Sequence, residues 1–269
     1  MESTIGKFLQ LYEPPHFPFR SLTQRVYELD LAGAVGVTGE QLLKNNNIGD
    51  LYAHDIIQTS TRVNYASNLA LIHGLDTMVS MAPEGAMAVA GGNWQIFHKM
   101  VQKSGAHIAL NTSIVSLDLA DGSDESAQPR YKLTTAFTSK PDSEETYPAT
   151  FDDVVIATPY QFSNIEAGDG VVQQVIDKIP YVSLHVTLFA SPFQYSPKFF
   201  GKGDGEAVPA TVLTTLAKDD DPTSGVQGAG KAGFFSISTL RKAVNPATER
   251  EEYLYKIFSP EKVTPKFLR

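Results

Sequence analysis

The chain has 269 residues, no cysteine and a net charge of −8. With 42% apolar and 19% charged residues it is globular, and it is long enough for one large core or two smaller ones. Without cysteine there is no disulfide, thiol nucleophile or Cys-based zinc site, and an acidic chain without a basic run is a poor nucleic-acid binder, because counterion release needs clustered Lys and Arg.

Residues 1 to about 104 read as helical. "MESTIGKFLQLYEPP" spaces its apolar residues as an amphipathic helix does, not as a signal peptide does, and no stretch reaches the roughly 20 apolar residues that span a bilayer. Ser21 starts "SLTQRVYELDL", and Thr38 with Gln41 forms a capping box ahead of "LLKNNN". Asp50 caps "LYAHDIIQTSTRV", with Leu51, Ile56 and Ile57 toward the core, and Ser67 caps "NLALIHGLDTMVSM". Asn93 caps "WQIFHKMVQKSG", in which Trp94, Phe97, Met100 and Val101 make one apolar stripe and Gly105 ends the helix.

From His107 the texture turns to β. "HIAL", "SIVSLDL", "RYKLTTAF" and "FDDVVIATP" read as strands, the last a continuous β-branched run as in a strand buried on both faces. Residues 121–129 and 139–149 read as solvated hairpin connections. A helix is expected at "VVQQVIDKI", then strands at "YVSLHVTLFA", "ATVLTTL", "FFSISTL" and "YLYKIFS". The whole is a mixed α/β chain.

"GVQGAGKAGFFSIS" contains G-x-x-x-x-G-K from Gly225 and G-x-G-x-x-G from Gly228. A phosphate loop needs a strand before it and a helix N-terminus after it. Here Asp219, Asp220 and Asp221 precede the glycines, "FFSIST" reads as strand, and Ala232 stands where magnesium coordination wants Ser or Thr. The expected structure is therefore a surface hairpin loop. The six histidines show no metal spacing, and the one glycosylation sequon, Asn111-Thr112-Ser113, lies between two strands.

One ordered arrangement remains. Gly91-Gly92 precedes a helix, then two strands and a hairpin, then a strand ending in Ala157-Thr158-Pro159. A double glycine lets backbone approach a bulky group, and small residues at a strand's end suit the wall of a ligand crevice.

Together these segments resemble the middle of a flavin-dependent oxidase of the amine-oxidase type. They are most similar to the prenylcysteine oxidase, or prenylcysteine lyase, family. "TRVNYASN" (61–68) resembles that family's R-V-N-Y-G-Q, departing at Ala66-Ser67. "AVAGGNWQIFHKMV" (88–101) resembles A-V-E-G-G-N, with Ala90 in place of the acid. "DDVVIATPYQFSNI" (152–165) resembles the family's strand, A-T-P and S-N-I, and "VLTTL" and "YLYKIFSPEKVT" continue the match in order.

The resemblance implies an incomplete two-domain flavoprotein: a helical part of a substrate domain at 1–84, a remnant of the FAD-binding domain with its β-meander at 85–160, and a mainly antiparallel substrate-domain sheet at 161–269. It implies FAD as cofactor and a small isoprenoid thioether, farnesyl- or geranylgeranyl-cysteine, as substrate. Hydride leaves the prenyl carbon beside sulfur for the flavin, water adds, and the hemithioacetal collapses to cysteine and a prenyl aldehyde; dioxygen becomes H₂O₂. Gly91 and Gly92 would pass close to the flavin. Ile114 would lie on the strand that meets its adenine end. Ala157, Thr158 and Pro159 would form the crevice wall, and Arg62, Asn64 and Tyr65 would stand near substrate. A helix C-terminus with Arg62 complementing the dipole and Asn64 capping is the alternative for that triplet. No metal is implied.

The family's N-terminal G-x-G-x-x-G segment and its closing C-terminal segment are expected to lie outside this chain, in a missing exon or a complementing chain. The chain is thus expected to be inactive alone. A truncated binding protein and a flavin oxidase of secondary metabolism are the alternatives. The family address is lysosomal or vacuolar.

Overall fold

A computed structural model describes residues 2–82, 87–120, 130–217, 220–223 and 225–268. The chain forms two compact units: one made of Met1–Ala86 and Tyr181–Arg269, the other, inserted between them, of Met87–Pro180. Helices and sheets are mixed, as the α/β reading expects.

The first segment is helical: α1 Glu2–Leu9, α2 Leu22–Glu28, α3 Ala32–Val35, α4 Gly39–Asn45, α5 Asp50–Tyr52, α6 Gln58–Tyr65 and α7 Gly74–Ser80. Local caps set several starts. Ser21 Oγ accepts from Gln24 N at 3.3 Å, and Thr38 and Gln41 close the expected capping box. Two starts differ. Gly49, not Asp50, is the N-cap of α5. His73, not Ser67, caps α7, its Nδ1 accepting from Asp76 N at 3.2 Å; residues 67–73 turn instead, because Asn68 is drawn into the interior.

Five π-helical residues, Ala53–Ile57, join α5 to α6. The wider turn shifts the buried face, so Ile57 is buried while Leu51 and Ile56, expected in the core, are exposed. Leu11, Leu29, Leu31 and Leu75 form one core cluster, and Leu43, Ile57, Leu69 and Met78 a second.

α6 ends on Ala66, in the left-handed conformation with φ 51°. The backbone thus takes the shape that glycine adopts freely, on an alanine. Relief of about 1 kcal/mol of backbone strain in Ala66→Gly is offset by about 0.8 kcal/mol for the lost buried methyl. We expect thermal melts of the variant within roughly 3 °C of the parent chain. A larger fall would mean that the methyl's packing against Ala229 and Phe235 dominates.

The inserted unit contains α8 Trp94–Ser104, β1 Thr112–Leu119, β2 Tyr131–Phe137, β3 Lys140–Phe151 and the two-residue β4 Glu166–Ala167, in sheet order β3-β2-β1-β4. Gly105, with φ 69°, ends α8 as expected. Asn93 holds the N-cap position, but its Oδ1 accepts from Val89 N at 2.9 Å rather than from the helix. Residues 139–149, expected as a loop, lie almost wholly within β3; "KPDSEETYPATF" is polar on both faces, which hid the strand period. Residues 121–129 lie outside the described residues.

"HIAL" forms no strand, and of "FDDVVIATP" only Phe151 is strand, as the last residue of β3. A strand buried on both faces needs a hydrogen-bonded neighbour, and among the described residues none pairs with 152–157; Val155 is 87% exposed. "VVQQVIDKI" forms no helix, and Val175 is exposed. β-Branched side chains lower helix propensity, and here no apolar surface compensates.

The chain returns to the first unit with β5 His185–Ser191, β6 Thr211–Leu213, a short α9 Gly225–Gly228, β7 Ser236–Val244 and β8 Glu251–Ser259. The strands form an antiparallel sheet in the order β5-β8-β7-β6. "YVSLHVTLFA" is therefore strand only from His185. Phe189 stacks on Tyr255 with ring centroids 5.3 Å apart, an aromatic cross-strand pair. The glycine-rich segment is no surface hairpin loop: it makes the turn of α9, and Gly228 and Ala229 are buried.

Candidate functional site

Gly91 and Gly92 turn at φ 85° and 116°, values that side chains rarely adopt. Trp94 Nε1 donates to Gly91 O at 3.0 Å, and Gln95 Nε2 to Ala90 O at 2.7 Å. A Cβ on Gly92 would meet the Trp94 ring at 2.6 Å. The turn therefore favours glycine at both positions, and the Trp94 and Gln95 side chains fold back over it. The α8 stripe is present, but Trp94, Phe97 and Met100 are each more than 60% exposed.

Ile114 lies on β1 at a bulge, between Ile114 and Ser116. Ile114, Ala157 and Thr158 line one apolar hollow of about 180 Å³, with Leu133, Val154 and Ile156. Pro159 sits just beyond, at the N-cap of a single turn, Tyr160–Phe162. Three of the six residues expected at a cofactor are thus brought together; Gly91, Gly92 and Pro159 are outside the lining. The hollow is below the roughly 300 Å³ at which whole-ligand pockets begin. Its lining is apolar, able to contact the flat face of a ring, and carries no cationic side chain for a phosphate.

In the other unit, α6 presents Arg62, Asn64 and Tyr65 in different ways. Arg62 is fully buried. Its Nε donates to Thr214 O at 2.8 Å; one terminal nitrogen donates to Asn68 Oδ1 at 2.8 Å and Gly228 O at 2.7 Å; the other donates to Thr214 Oγ1 and Ala229 O, both at 3.0 Å. All five guanidinium donors are used within the chain. The Phe235 ring lies under the cation, 5.0 Å to its centroid. Burial lowers this guanidinium to about 10, with Asp220 opposing, so it stays charged at neutral pH.

Asn64 is exposed and donates to Ser80 O at 3.1 Å. Tyr65 is partly exposed, and burial, then the Asp76 carboxylate, raises its phenol above the ordinary value. Sequence reasoning missed the partners of Arg62: Asn68, Thr214, Gly228, Ala229 and Phe235. No local signal pointed to them: α6 reads QTSTRVNY, mostly polar, and it is burial that makes Arg62 demand acceptors, which the carbonyls of a glycine-rich turn supply. Among the described residues no three His, Cys, Asp or Glu side chains gather as metal ligands, and no helix is long and apolar enough to cross a membrane.

Two comparisons bear on this arrangement. The chain is 26% identical over 272 residues to a farnesylcysteine lyase of Arabidopsis thaliana, covering 100% of this chain. It spans about half of that relative's length, 47%. The family model described as prenylcysteine lyase matches residues 1–269, the whole chain, so the chain belongs to the prenylcysteine lyase family.

Proposed function

We propose that this chain carries the substrate-binding part, and one wall of the cofactor site, of a FAD-dependent thioether oxidase that cleaves prenylcysteine. The observation that carries this reading is the family match along all 269 residues. In this reading residues 85–160 belong to the flavin side, and 1–84 and 161–269 to the substrate side. Bound FAD would supply two-electron oxidation of the prenyl carbon beside sulfur. Gly91 and Gly92 hold the turn into α8, their Cβ faces already covered by Gln95 and Trp94, and Ile114, Ala157 and Thr158 give an apolar wall with Pro159 just beyond it. Asn64 and Tyr65 stand on the substrate side. Arg62 positions them by fixing the end of α6, since its donors are all occupied. The acid organelle of degradation, lysosome or vacuole, is the compartment that fits the family.

The small, cation-free hollow favours a second reading, a ligand-binding chain without oxidase activity of its own. A visible absorption spectrum separates the two. The purified chain is incubated with FAD, gel-filtered and scanned. A retained flavin band, followed by aldehyde and H₂O₂ from S-farnesyl-cysteine, is the result expected of an oxidase. A colourless, folded chain leaves the binding reading.

A further inference from the structure

Arg62 is fully buried, yet among the described residues it enters no ion pair. Its guanidinium donates only to neutral oxygens. Neutral acceptors replace only part of a cation's hydration, so a buried charge calls for a counter-charge. The turn that supplies two of these oxygens leads to one.

Gly228 O and Ala229 O accept from the guanidinium at 2.7 and 3.0 Å. Ala229 is right-handed and Gly230, at φ 65°, left-handed, a succession that turns neighbouring N–H groups to one side as an anion nest. Lys231 N donates to Asp220 Oδ2 at 3.3 Å, and Ala217 N donates to the same oxygen at 2.8 Å. A Cβ on Gly230 would collide with that carboxylate. The glycine motif thus seats an anion, but the anion is the chain's own. Carbonyls of the turn meet a cation and a following N–H meets a carboxylate. The peptide dipoles of residues 228–231 lie between opposite charges, and each charge strengthens the turn's hold on the other. Asp220 accordingly opposes the lowering of Arg62 by burial, and Arg62 is among the causes that lower Asp220.

We propose that Asp220 is the counter-ion of Arg62, acting across the glycine-rich turn without touching it, and that the three form an acid-sensitive clasp fastening the turn to α6. The hydrogen bond from Ala217 N, then that from Lys231 N and the charges of Lys231 and Arg62, hold the Asp220 carboxyl below the ordinary carboxylate range, against desolvation. The clasp therefore contributes stability above the carboxylate range of an unfolded chain, about pH 4, and loses it as pH falls through the lower folded value. Mild acidity leaves it shut. The other titratable groups lining the hollow of about 510 Å³ that Asp220 faces are Glu40, Lys44, Asp50 and His54. Asp221, beside it, accepts from Thr223 N at 3.2 Å. Because α6 ends at Tyr65, opening the clasp frees the end that carries Asn64 and Tyr65.

Urea unfolding of the 269-residue chain tests the clasp. Asp220→Asn keeps an acceptor oxygen for both N–H groups and removes only the charge. At pH 7 it is expected to raise the unfolding equilibrium constant about 3-fold, the gap between a charged and a neutral acceptor discounted for partial exposure. In an Arg62→Met background the same change is expected to have an effect of about 1.5-fold or less, since the partner charge is gone. The difference between the parent chain and Asp220→Asn persists from pH 7 to about pH 5 and closes as pH falls below about 4. No effect of Asp220→Asn at pH 7 would mean that the hydrogen bonds alone matter. An equal effect with and without Arg62, or a difference that does not shrink in acid, would also overturn the proposal. Should the methionine background not fold, the pH series of the two arginine-containing chains decides alone.

Discussion

Arg62→Met is expected to destabilise the first unit by about 3–5 kcal/mol, because it strips one side of a buried polar cluster and leaves the other unpaired. In a unit of this size that lowers the melting temperature by on the order of 10 °C. The acceptors left behind are the carbonyls of Thr214, Gly228 and Ala229, the Thr214 hydroxyl and the Asn68 amide oxygen. Arg62→Lys keeps the charge but not the planar fork, so it is expected to recover less than half of the loss. Far-UV circular dichroism melts measure both. A fall of less than about 2 °C in the methionine variant would show that water satisfies these acceptors and that the arginine is dispensable.

Gly228→Ala is expected to cost about 1–3 kcal/mol, an overpacking effect. A Cβ there would collide with the Thr223 carbonyl oxygen and come within 3.2 Å of Asn68 Nδ2. The same glycine's carbonyl accepts from Arg62 at 2.7 Å and from Asn68 at 3.0 Å. The motif's glycine is thus needed for close backbone packing, not for a phosphate. Because both changes act on one network, the double variant with Arg62→Met should lose less than the sum of the single losses. Denaturant titrations of all four proteins give the coupling. Strict additivity would mean that the two residues act independently.

The features legible in the sequence were those decided by neighbours along the chain. Ser21, the Thr38–Gln41 pair and Gly105 mark helix ends by contacts within a turn, and the structure uses them there. β1, β2, β7 and β8 carry enough β-branched and aromatic residues to declare themselves. β3 did not, because its polar residues alternate with other polar residues. Residues 152–157 have strand composition, but composition supplies no partner for the ladder. At the candidate site, Ile114, Ala157 and Thr158 meet in one hollow because β1 and the segment after β3 converge. The acceptors around Arg62 lay beyond any local signal, since most of them are more than 150 residues away in sequence.

That separation has a consequence for how the chain acquires its shape during synthesis. Arg62 must wait for Thr214, 152 residues later, and Ala229, 167 residues later. At about 5–20 residues per second the ribosome takes on the order of 10–30 s to deliver them. Throughout that interval the helical half has emerged, its cation is still hydrated, and the apolar surface it will share with Phe235 lies open. The inserted segment, whose strands pair with near neighbours, is complete before then. The nascent chain thus matures from its middle outward. The interval before residues 214–235 arrive is when a chaperone that covers exposed apolar surface would matter most.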